Sequence, residues 1–270
     1  MRIANILTVA GSDPSGGAGI QADLKTIAAL GGYGMAVLTA LTAQNTRGVH
    51  GVHRVPAAFV AAQLDAVWAD VGVDALKTGM LATAAVVRAV AAQCQRRPTV
   101  PCVVDPVLVA KGGARLLAPP ALAALRRHLL PLATVITPNL PEAAALLDQP
   151  EAGSVAAMRR TARALHALGP AAVLLKGGHL PGRACVDVLY DGHGYVEFPA
   201  PRIRTRHTHG TGCTLASALA TRLGQGLALP EAVGQAKDYV TAAIRAGARL
   251  RVGTGHGPLD HGFAQRGQDR

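Results

Sequence analysis

The chain has 270 residues, half of them hydrophobic and only 16% charged, so it is too apolar for a disordered protein and long enough to bury a core without disulfides. Its net charge of +11 comes with scattered arginines and few aromatic residues, which favours a solvated basic surface over a nucleic-acid-binding face. The four cysteines contain no C-x-x-C pair, and the sequence has neither a signal-peptide core nor an apolar run of about 18 residues, so we expect a cytoplasmic protein without a membrane span.

Short apolar runs alternate along the chain with longer segments of helical periodicity. The runs predict strands at residues 3–10, 35–41, 73–77, 102–104, 134–137, 172–175 and 186–190. The helical patterns predict helices at residues 19–30, 57–71, 84–95, 120–130, 141–147, 155–168, 211–223 and 230–246. Because the runs are apolar on both faces, they indicate an α/β fold with a mostly parallel sheet covered by helices on both sides. No linker divides the chain, residues 190–195 predict a hairpin turn, and the polar tail 261–270 is expected to be loose.

A polar residue or a glycine follows five of the predicted strands. These residues are Gly11, Gln44, Asp105, Asn139 and Lys176. The carboxyl ends of parallel strands share one edge of a sheet, and ligands bind there in the crevice where the strand order reverses. The sequence therefore predicts a ligand site at this edge.

Two glycine-rich segments each precede a predicted helix. Residues 11–19 (GSDPSGGAG) match neither a P-loop nor a dinucleotide-binding motif, so they indicate either a tight turn or a close approach of the backbone to a small ligand. Residues 208–213 (THGTGC) place Gly210, Thr211 and Gly212 at a helix start. Free N–H groups and the helix dipole there suit an anion such as a phosphoryl group in transfer, and the alternative is a plain helix cap.

A third segment, residues 137–142 (TPNLPE), places Glu142 three residues after Asn139 at another predicted helix start. Both side chains could bind one Mg²⁺ through waters, and they could also form the capping box of the helix. The two roles are compatible. Lys176, which two glycines follow, would leave room for a nucleotide beside the end of its strand.

Seven segments taken together resemble one enzyme family. They are residues 10–23, 43–46, 77–81, 105–107, 137–142, 176–179 and 209–213. In this order they are similar to the hydroxymethylpyrimidine/phosphomethylpyrimidine kinases of thiamine biosynthesis, which belong to the ribokinase-like superfamily. The combination is much more specific than any one of the segments.

The resemblance implies a single domain over residues 1–260, built on a central sheet of about eight strands between helices. It also implies that the protein phosphorylates 4-amino-5-hydroxymethyl-2-methylpyrimidine and then the monophosphate, with ATP and Mg²⁺. The expected partners are this small molecule, ATP and a second copy of the chain, with no nucleic acid and no membrane.

Carried over residue by residue, the resemblance implies a pyrimidine pocket and a nucleotide side. The pocket would contain Gly11, Asp23, Gln44, Met80 and Val107, and the nucleotide side Asp105, Asn139, Lys176 and Thr208, with Glu142 binding the metal. A carboxamide such as that of Gln44 matches an amino donor beside a ring-nitrogen acceptor. Met80 and Val107 would enclose the ring, although without the resemblance both would be interpreted as core residues.

Cys213 would be the catalytic residue, together with Gly210, Thr211 and Gly212 of the helix start, where sugar kinases of the superfamily carry an aspartate base. A thiol is a weaker base, with an ordinary pKa of about 8.5 that a helix N-terminus lowers. Phosphoryl transfer depends more on positioning and charge stabilisation than on a strong base. A zinc site formed by His207 and His209 near Cys213 is the alternative, but the spacing fits no usual zinc pattern.

The sequence departs from the family pattern at Gly112, where the family more often has serine. Two other functions stay open. Pyridoxal kinase is one, because some relatives phosphorylate pyridoxal and the motifs separate the two activities poorly. A regulator that binds a ligand without catalysis is the other, and it would be favoured if Asn139, Glu142 or residues 210–213 were degraded, which they are not.

Overall fold

A nine-stranded sheet forms the centre of the part of the chain that the computed structural model describes, residues 3–108 and 117–265. The strands are β1 (Asn5–Ser12), β2 (Tyr33–Asn45), β3 (Gly48–Arg54), β4 (Ala75–Thr78), β5 (Cys102–Val104), β6 (Val135–Ile136), β7 (Val173–Leu175), β8 (Ala184–Tyr190) and β9 (Tyr195–Pro201). Their order across the sheet is β3-β2-β1-β4-β5-β6-β7-β8-β9. The six central strands, β2, β1, β4, β5, β6 and β7, pair in parallel. Strand β3 at one edge and strands β8 and β9 at the other pair antiparallel with their neighbours.

Helices cover both faces of the sheet, as predicted. They are α1 (Gly19–Ala29), α2 (Ala57–Asp70), α3 (Ala84–Gln95), α4 (Pro119–Ala124), α5 (Leu140–Leu147), α6 (Val155–His166), α7 (Thr211–Gly224) and α8 (Leu229–Gly247). Successive strand residues point to opposite faces, so Leu7 packs with α2, α3 and α6 while Ile6 packs with α1, α7 and α8. No helix in these described ranges is both long and apolar enough to cross a lipid bilayer.

Three elements differ from the sequence prediction. Strand β9 follows the predicted hairpin turn but was not itself predicted as a strand. Strand β3 was not predicted because it alternates valine with histidine and glycine and lies exposed at an edge, so it has no apolar run. The predicted helix 120–130 is regular only to Ala124, after which a π-helical turn (Leu125–Leu129) and a short 3-10 turn (Leu130–Leu132) follow. Pro131 lacks an N–H group and cannot continue the α-helical hydrogen bonds.

The C-terminal tail is packed further than the sequence predicts. His261, at the predicted start of the loose segment, is only 5% exposed, and the Tyr239 hydroxyl donates to its carbonyl at 2.7 Å. The ring of Phe263 lies 5.6 Å from that of Tyr239. Gly112 and residues 266–270 lie outside the described residues.

The strand order reverses between β1 and β4. From β1 the chain moves to β2 on one side, and it later returns to β4 on the other side of β1. Gly11 at the end of β1 and Gly79 just after β4 therefore flank a crevice at the carboxyl edge of the sheet.

Candidate active site

A cavity of about 740 Å³ opens at this edge, where β1, β4, β5, β6 and β7 end. It is lined by every site residue predicted from the sequence except Asp23. The lining residues in question are Gly11, Gln44, Met80, Asp105, Val107, Asn139, Glu142, Lys176, Thr208, Gly210, Thr211, Gly212 and Cys213. The topology thus gathers at one place residues that are up to two hundred positions apart in sequence.

The cavity has two chemically different halves. The Gln44 half consists of Gly11, Asp13, Gln44, Met80 and His209. The Lys176 half consists of Asp105, Asn139, Glu142, Lys176 and Gly212. Cys213 lines the same cavity, next to Gly212 in the first turn of α7.

Apolar atoms and a carboxamide form the Gln44 half. An added Cβ at Gly11 would lie 2.6 Å from the terminal methyl carbon of Met80, so the glycine leaves room for the flexible thioether against the end of β1. The Gln44 amide nitrogen lies 3.3 Å from Nε2 of His209. The half therefore offers an apolar wall beside one amide, which suits a flat heterocycle with adjacent donor and acceptor atoms.

Asp13 joins the two glycine-rich segments, a role that sequence reasoning missed. Its carboxylate lies 2.7 Å from Nε2 of His209 and accepts the N–H groups of Ser15 and Ala18, each at 2.9 Å. Burial alone would raise the pKa of Asp13, but the hydrogen bonds from His209 and Ser15 hold it below its ordinary value. An aspartate in a serine- and glycine-rich loop is typical of a side chain that caps its own backbone, which was the available signal.

Two carboxylates surround one ammonium group in the Lys176 half. Nζ of Lys176 lies 2.9 Å from Asp105 Oδ1 and 3.9 Å from Glu142 Oε2. Burial alone would lower the pKa of Lys176, but these two carboxylates raise it above its ordinary value, so the amine stays charged. Burial raises the pKa of Glu142 to about 7, against the influence of Lys176.

Asn139 and Glu142 form the predicted capping box of α5. The Asn139 side chain accepts the N–H of Glu142, and the Glu142 carboxylate accepts the N–H of Asn139, both at 2.8 Å. The structural role is confirmed, and both residues also line the cavity. The cap therefore holds a carboxylate and an amide at fixed positions facing the ligand space.

The glycines at the start of α7 have different functions. Gly210 has a φ of +83°, and an added Cβ would collide with the carbonyl oxygen of Gly17, so this position requires glycine for the loops to meet. An added Cβ at Gly212 would instead lie 3.2 Å from Nζ of Lys176 and 3.5 Å from Asp105 Oδ2. The backbone at Gly212 thus faces the charged half directly, at the positive end of the α7 dipole.

Threonine hydroxyls hydrogen-bond to backbone carbonyls of the loop at the start of α7. The Thr211 hydroxyl donates to the carbonyl of Thr208 at 2.8 Å, and the Thr214 hydroxyl donates to the carbonyl of Gly210 at 2.9 Å. His261 Nε2 lies 3.0 Å from the same Thr214 oxygen. These contacts hold the first turn of α7 together with the cavity-lining residues Thr208, Gly210 and Thr211.

The environment of Cys213 differs from the sequence expectation. Burial raises the pKa of its thiol to about 11, and the carboxylates of Asp23 and Asp105 act in the same direction. Lys77 and the Gly19 backbone N–H oppose this rise without overcoming it. The expected lowering by the helix N-terminus is therefore outweighed, and the thiol is protonated at neutral pH.

Asp23 does not reach the cavity and cannot contact a ligand there. It is fully buried in an ion pair with Lys77, whose Nζ lies 2.8 Å and 2.9 Å from its two oxygens. The hydroxyls of Thr8 and Ser217 donate to the same carboxylate at 2.6 Å and 2.7 Å. Sequence reasoning missed Lys77, although a lysine inside an apolar strand needs a buried partner, and that was the available signal.

The donor chemistry of the Lys176 half fits Mg²⁺. No group of three or more histidine, cysteine, aspartate or glutamate side chains in residues 3–108 and 117–265 could hold a metal by itself. Mg²⁺ does not need such a cage, because it binds through one or two carboxylates, waters and the phosphates of a substrate. Asp105 and Glu142 are two carboxylates that face the same space.

Comparisons with known proteins agree with this geometry. A family model described as phosphomethylpyrimidine kinase matches residues 13–260. The hydroxymethylpyrimidine/phosphomethylpyrimidine kinase of Salmonella typhimurium is 52% identical over 97% of this chain and 98% of its own length. A bifunctional thiamine biosynthesis protein of Geobacter sulfurreducens is 56% identical over 95% of this chain, which spans about half, 52%, of that protein.

A solved structure shows the same fold with ligands bound. The pyridoxal kinase of Staphylococcus aureus, in complex with AMP-PCP and pyridoxal, superposes with a TM-score of 0.90 at 35% identity, over 98% of this chain and 96% of that one. The fold is thus ribokinase-like, with the predicted α/β architecture. The family model spans nearly the whole described chain, and a kinase matched over its full length is more than 50% identical to it. The chain therefore belongs to the phosphomethylpyrimidine kinase family.

Proposed function

We propose that the protein transfers the γ-phosphoryl group of ATP to 4-amino-5-hydroxymethyl-2-methylpyrimidine and then to the resulting monophosphate, as a step of thiamine biosynthesis. One observation carries the proposal: a single cavity joins a carboxamide beside apolar walls to a lysine, two carboxylates and a helix N-terminus. The first half suits the aminopyrimidine and the second suits phosphates in transfer.

The Gln44 half would select and orient the pyrimidine. The carboxamide of Gln44 would accept from the exocyclic amino group and donate to the neighbouring ring nitrogen. His209, which Asp13 holds at 2.7 Å, lies against this amide and limits its rotation. Met80 and Val107 line the same space and would enclose the ring between apolar surfaces.

The Lys176 half would stabilise the transferred group. The acceptor oxygen forms a bond to the γ-phosphorus, the bond to the bridging oxygen breaks, and ADP leaves with that electron pair. Lys176 and the free N–H groups at Gly212 would stabilise the negative charge on the γ-phosphoryl oxygens, and this interaction strengthens as the transition state forms. Asp105 and Glu142 would hold Mg²⁺, which when bound neutralises phosphate charge.

The two transfers place different demands on the protein. In the first, the hydroxymethyl group passes its proton to an oxygen of the transferred phosphoryl group late in a loose transition state, so a protonated Cys213 thiol near the acceptor need not act as a base. In the second, the acceptor is a phosphate oxygen that is largely ionised at neutral pH and needs no base. A site built on charge stabilisation rather than on a strong base can therefore perform both.

A substrate panel tests the proposal. Purified protein with ATP and Mg²⁺ is offered the hydroxymethylpyrimidine, its monophosphate and pyridoxal, and the products are followed by mass. We expect conversion through to the pyrimidine diphosphate. A product that stops at the monophosphate would remove the second step, turnover of pyridoxal alone would favour a pyridoxal kinase, and ligand binding without turnover would favour a regulator.

A homodimer and a cytoplasmic location are further parts of the proposal. Strand β3 lies at the edge of the sheet and leaves the side chain of Val52 44% exposed. Exposed apolar side chains on an edge strand are usually covered, and a second copy of the chain would cover them. Analytical ultracentrifugation of the wild type and of Val52→Lys tests this, with a dimer and a weakened dimer expected.

A further inference from the structure

Lys176 is held at the point where the β7–β8 ladder ends. β7 and β8 pair from Val173 to Leu175, and the last backbone pair joins Leu175 to Val188. Beyond it, the N–H of Lys176 donates to the carbonyl of Pro138 at 2.8 Å. The next N–H, that of Gly177, has no ladder partner on β8 and donates at 2.9 Å to a side chain, Oδ1 of Asp187.

Gly177 is pressed directly against β8. An added Cβ at this position would collide with the carbonyl oxygen of Val186, so the peptide lies against the strand with no side chain between them. The Asp187 carboxylate therefore replaces the missing ladder bond and fixes the peptide that follows Lys176. A hydrogen bond from a backbone N–H to a carboxylate is stronger than one to a neutral acceptor.

Asp187 is itself held from behind by α8. Nζ of Lys237 lies 2.6 Å from Asp187 Oδ2 and donates to the carbonyl of Cys185 at 3.2 Å. Asp187 is 4% exposed and Lys237 is 9% exposed, and neither lines the cavity. A buried ion pair adds little net stability compared with an apolar pair of the same size, so stability alone does not explain this pair.

We propose that Asp187, held by Lys237, is a positioning residue for phosphoryl transfer. It fixes the Gly177 peptide and through it the place of the Lys176 ammonium group between Asp105 and Glu142. The inference rests on the proposed function in that Lys176 faces the nucleotide. Asp187 and Lys237 lie outside the cavity, yet they should affect nucleotide binding and phosphoryl transfer. They should not affect pyrimidine binding.

Two double variants separate positioning from stability. Asp187→Leu with Lys237→Met removes the ion pair and the acceptor for the Gly177 N–H. Asp187→Asn with Lys237→Met removes the same ion pair but keeps an oxygen acceptor. Arg159→Met with Glu197→Leu, which removes an exposed ion pair at 2.6 Å, serves as the matched control and should behave as wild type.

The readouts are the Kd for ADP by calorimetry without acceptor, the Kd for the pyrimidine, kcat, and the melting temperature. We expect the leucine–methionine variant to bind ADP about tenfold more weakly, the change that corresponds to losing one hydrogen bond. Its kcat should also fall, its pyrimidine Kd should stay unchanged, and the asparagine–methionine variant should largely restore ADP binding. Because ADP binding needs no acceptor, this test stands even if the panel rejects the pyrimidine as substrate.

Three outcomes would overturn the inference. They are wild-type ADP binding in both double variants, equal losses for ADP and the pyrimidine, and equal losses of ADP binding in the two double variants. If the leucine–methionine variant does not fold, Asp187→Val with Lys237→Met, which also removes the acceptor for the Gly177 N–H but adds less bulk to β8, replaces it. Unchanged ADP affinity and kcat in that variant would equally reject the positioning role.

Discussion

The two halves of the cavity are built on different physical principles. In the Gln44 half, polar groups bind one another: Asp13 holds His209, and His209 lies against the Gln44 amide. In the Lys176 half, one ammonium group lies between two carboxylates at a helix N-terminus, and the charges are balanced only in part. In the proposed function, the first arrangement would recognise the pattern of donors and acceptors on a ring, and the second would stabilise charge that moves during the reaction.

The largest expected effect comes from Gly212→Ala. Its Cβ would lie 3.2 Å from Nζ of Lys176, where it displaces the ammonium or the transferred group. We expect kcat to fall by about 10- to 1000-fold, as for the loss of an oxyanion-type donor, with little change in pyrimidine Kd. Gly234→Ala, in α8 with its nearest neighbour at 3.8 Å, is the control. A lowered melting temperature with kcat intact would mean that the loop is only a helix cap.

Lowering the pH should reduce the stability contributed by His261 and by Asp13 in two different pH ranges. His261, behind α7, has a pKa lowered to about 4 by burial, below its ordinary 6.5. The unfolded chain binds this proton near pH 6.5 and the folded chain only near 4, so stability falls as the pH drops through that window, by up to about 3 kcal/mol. The folded pKa of Asp13 lies below its ordinary 3.8. Asp13 therefore stabilises the folded chain above pH 3.8, and this contribution is lost as the pH falls from 3.8 through the folded pKa.

Chemical denaturation from pH 8 to 3 checks this difference. The loss between pH 6.5 and 4 should disappear in His261→Gln and persist in Asp13→Asn. The exposed Gln149, replaced by alanine, is the control because the change removes no titratable group, and it should leave the profile unchanged. An identical profile in His261→Gln and wild type would show that this histidine is not held neutral.

Gln44→Ala should weaken ligand binding in the Gln44 half and leave binding in the Lys176 half unchanged. Losing paired hydrogen bonds in a desolvated pocket costs about 1–3 kcal/mol, or roughly 5- to 150-fold in pyrimidine Kd, while ADP affinity stays unchanged. Calorimetry with each ligand measures both, and Gln235→Ala on the exposed face of α8 is the control. Equal losses for the two ligands would mean that Gln44 supports the fold rather than the ring.

The smallest effect is expected for Cys213→Ala. Since the thiol is protonated with a pKa of about 11, removing it should lower kcat for the alcohol by less than about tenfold and leave residual turnover, because the charge stabilisation at Gly212 remains. The second transfer should be affected even less. Kinetics from pH 6 to 9 would contradict this if wild-type kcat rose with a thiolate titration that Cys213→Ala abolished.

The sequence predicted the parallel core and the edge at which the cavity lies, because both depend on local patterns. Apolar runs marked the parallel strands, and the polar residue or glycine at or just after the end of β1, β2, β5, β6 and β7 marked the ligand edge. It failed where a residue's environment comes from distant contacts. Asp23 matches a family segment but is buried against Lys77, and Cys213 lies at a helix N-terminus whose effect on its pKa is outweighed by burial.

Strand β3 was not predicted because it, too, depends on contacts with a neighbouring element. It is stabilised by pairing with β2, from Arg54 opposite Ala40 to Gly48 opposite Asn45, and has no buried run of its own. The role of Asp187 was likewise invisible, since it depends on where the ladder of β7 and β8 stops.

The contact between Gly210 and Gly17 also governs when the cavity can form. The two loops meet backbone to backbone, and the Asp13–His209 bond that accompanies this contact spans 196 positions of sequence. During synthesis, the first two hundred residues leave the ribosome with one wall of the cavity missing. Folding of the site must therefore wait for α7, and such long-range closure is slow compared with the formation of single helices. Small molecules that fill the cavity would act as late folding ligands, stabilising finished chains and leaving nascent ones unaffected.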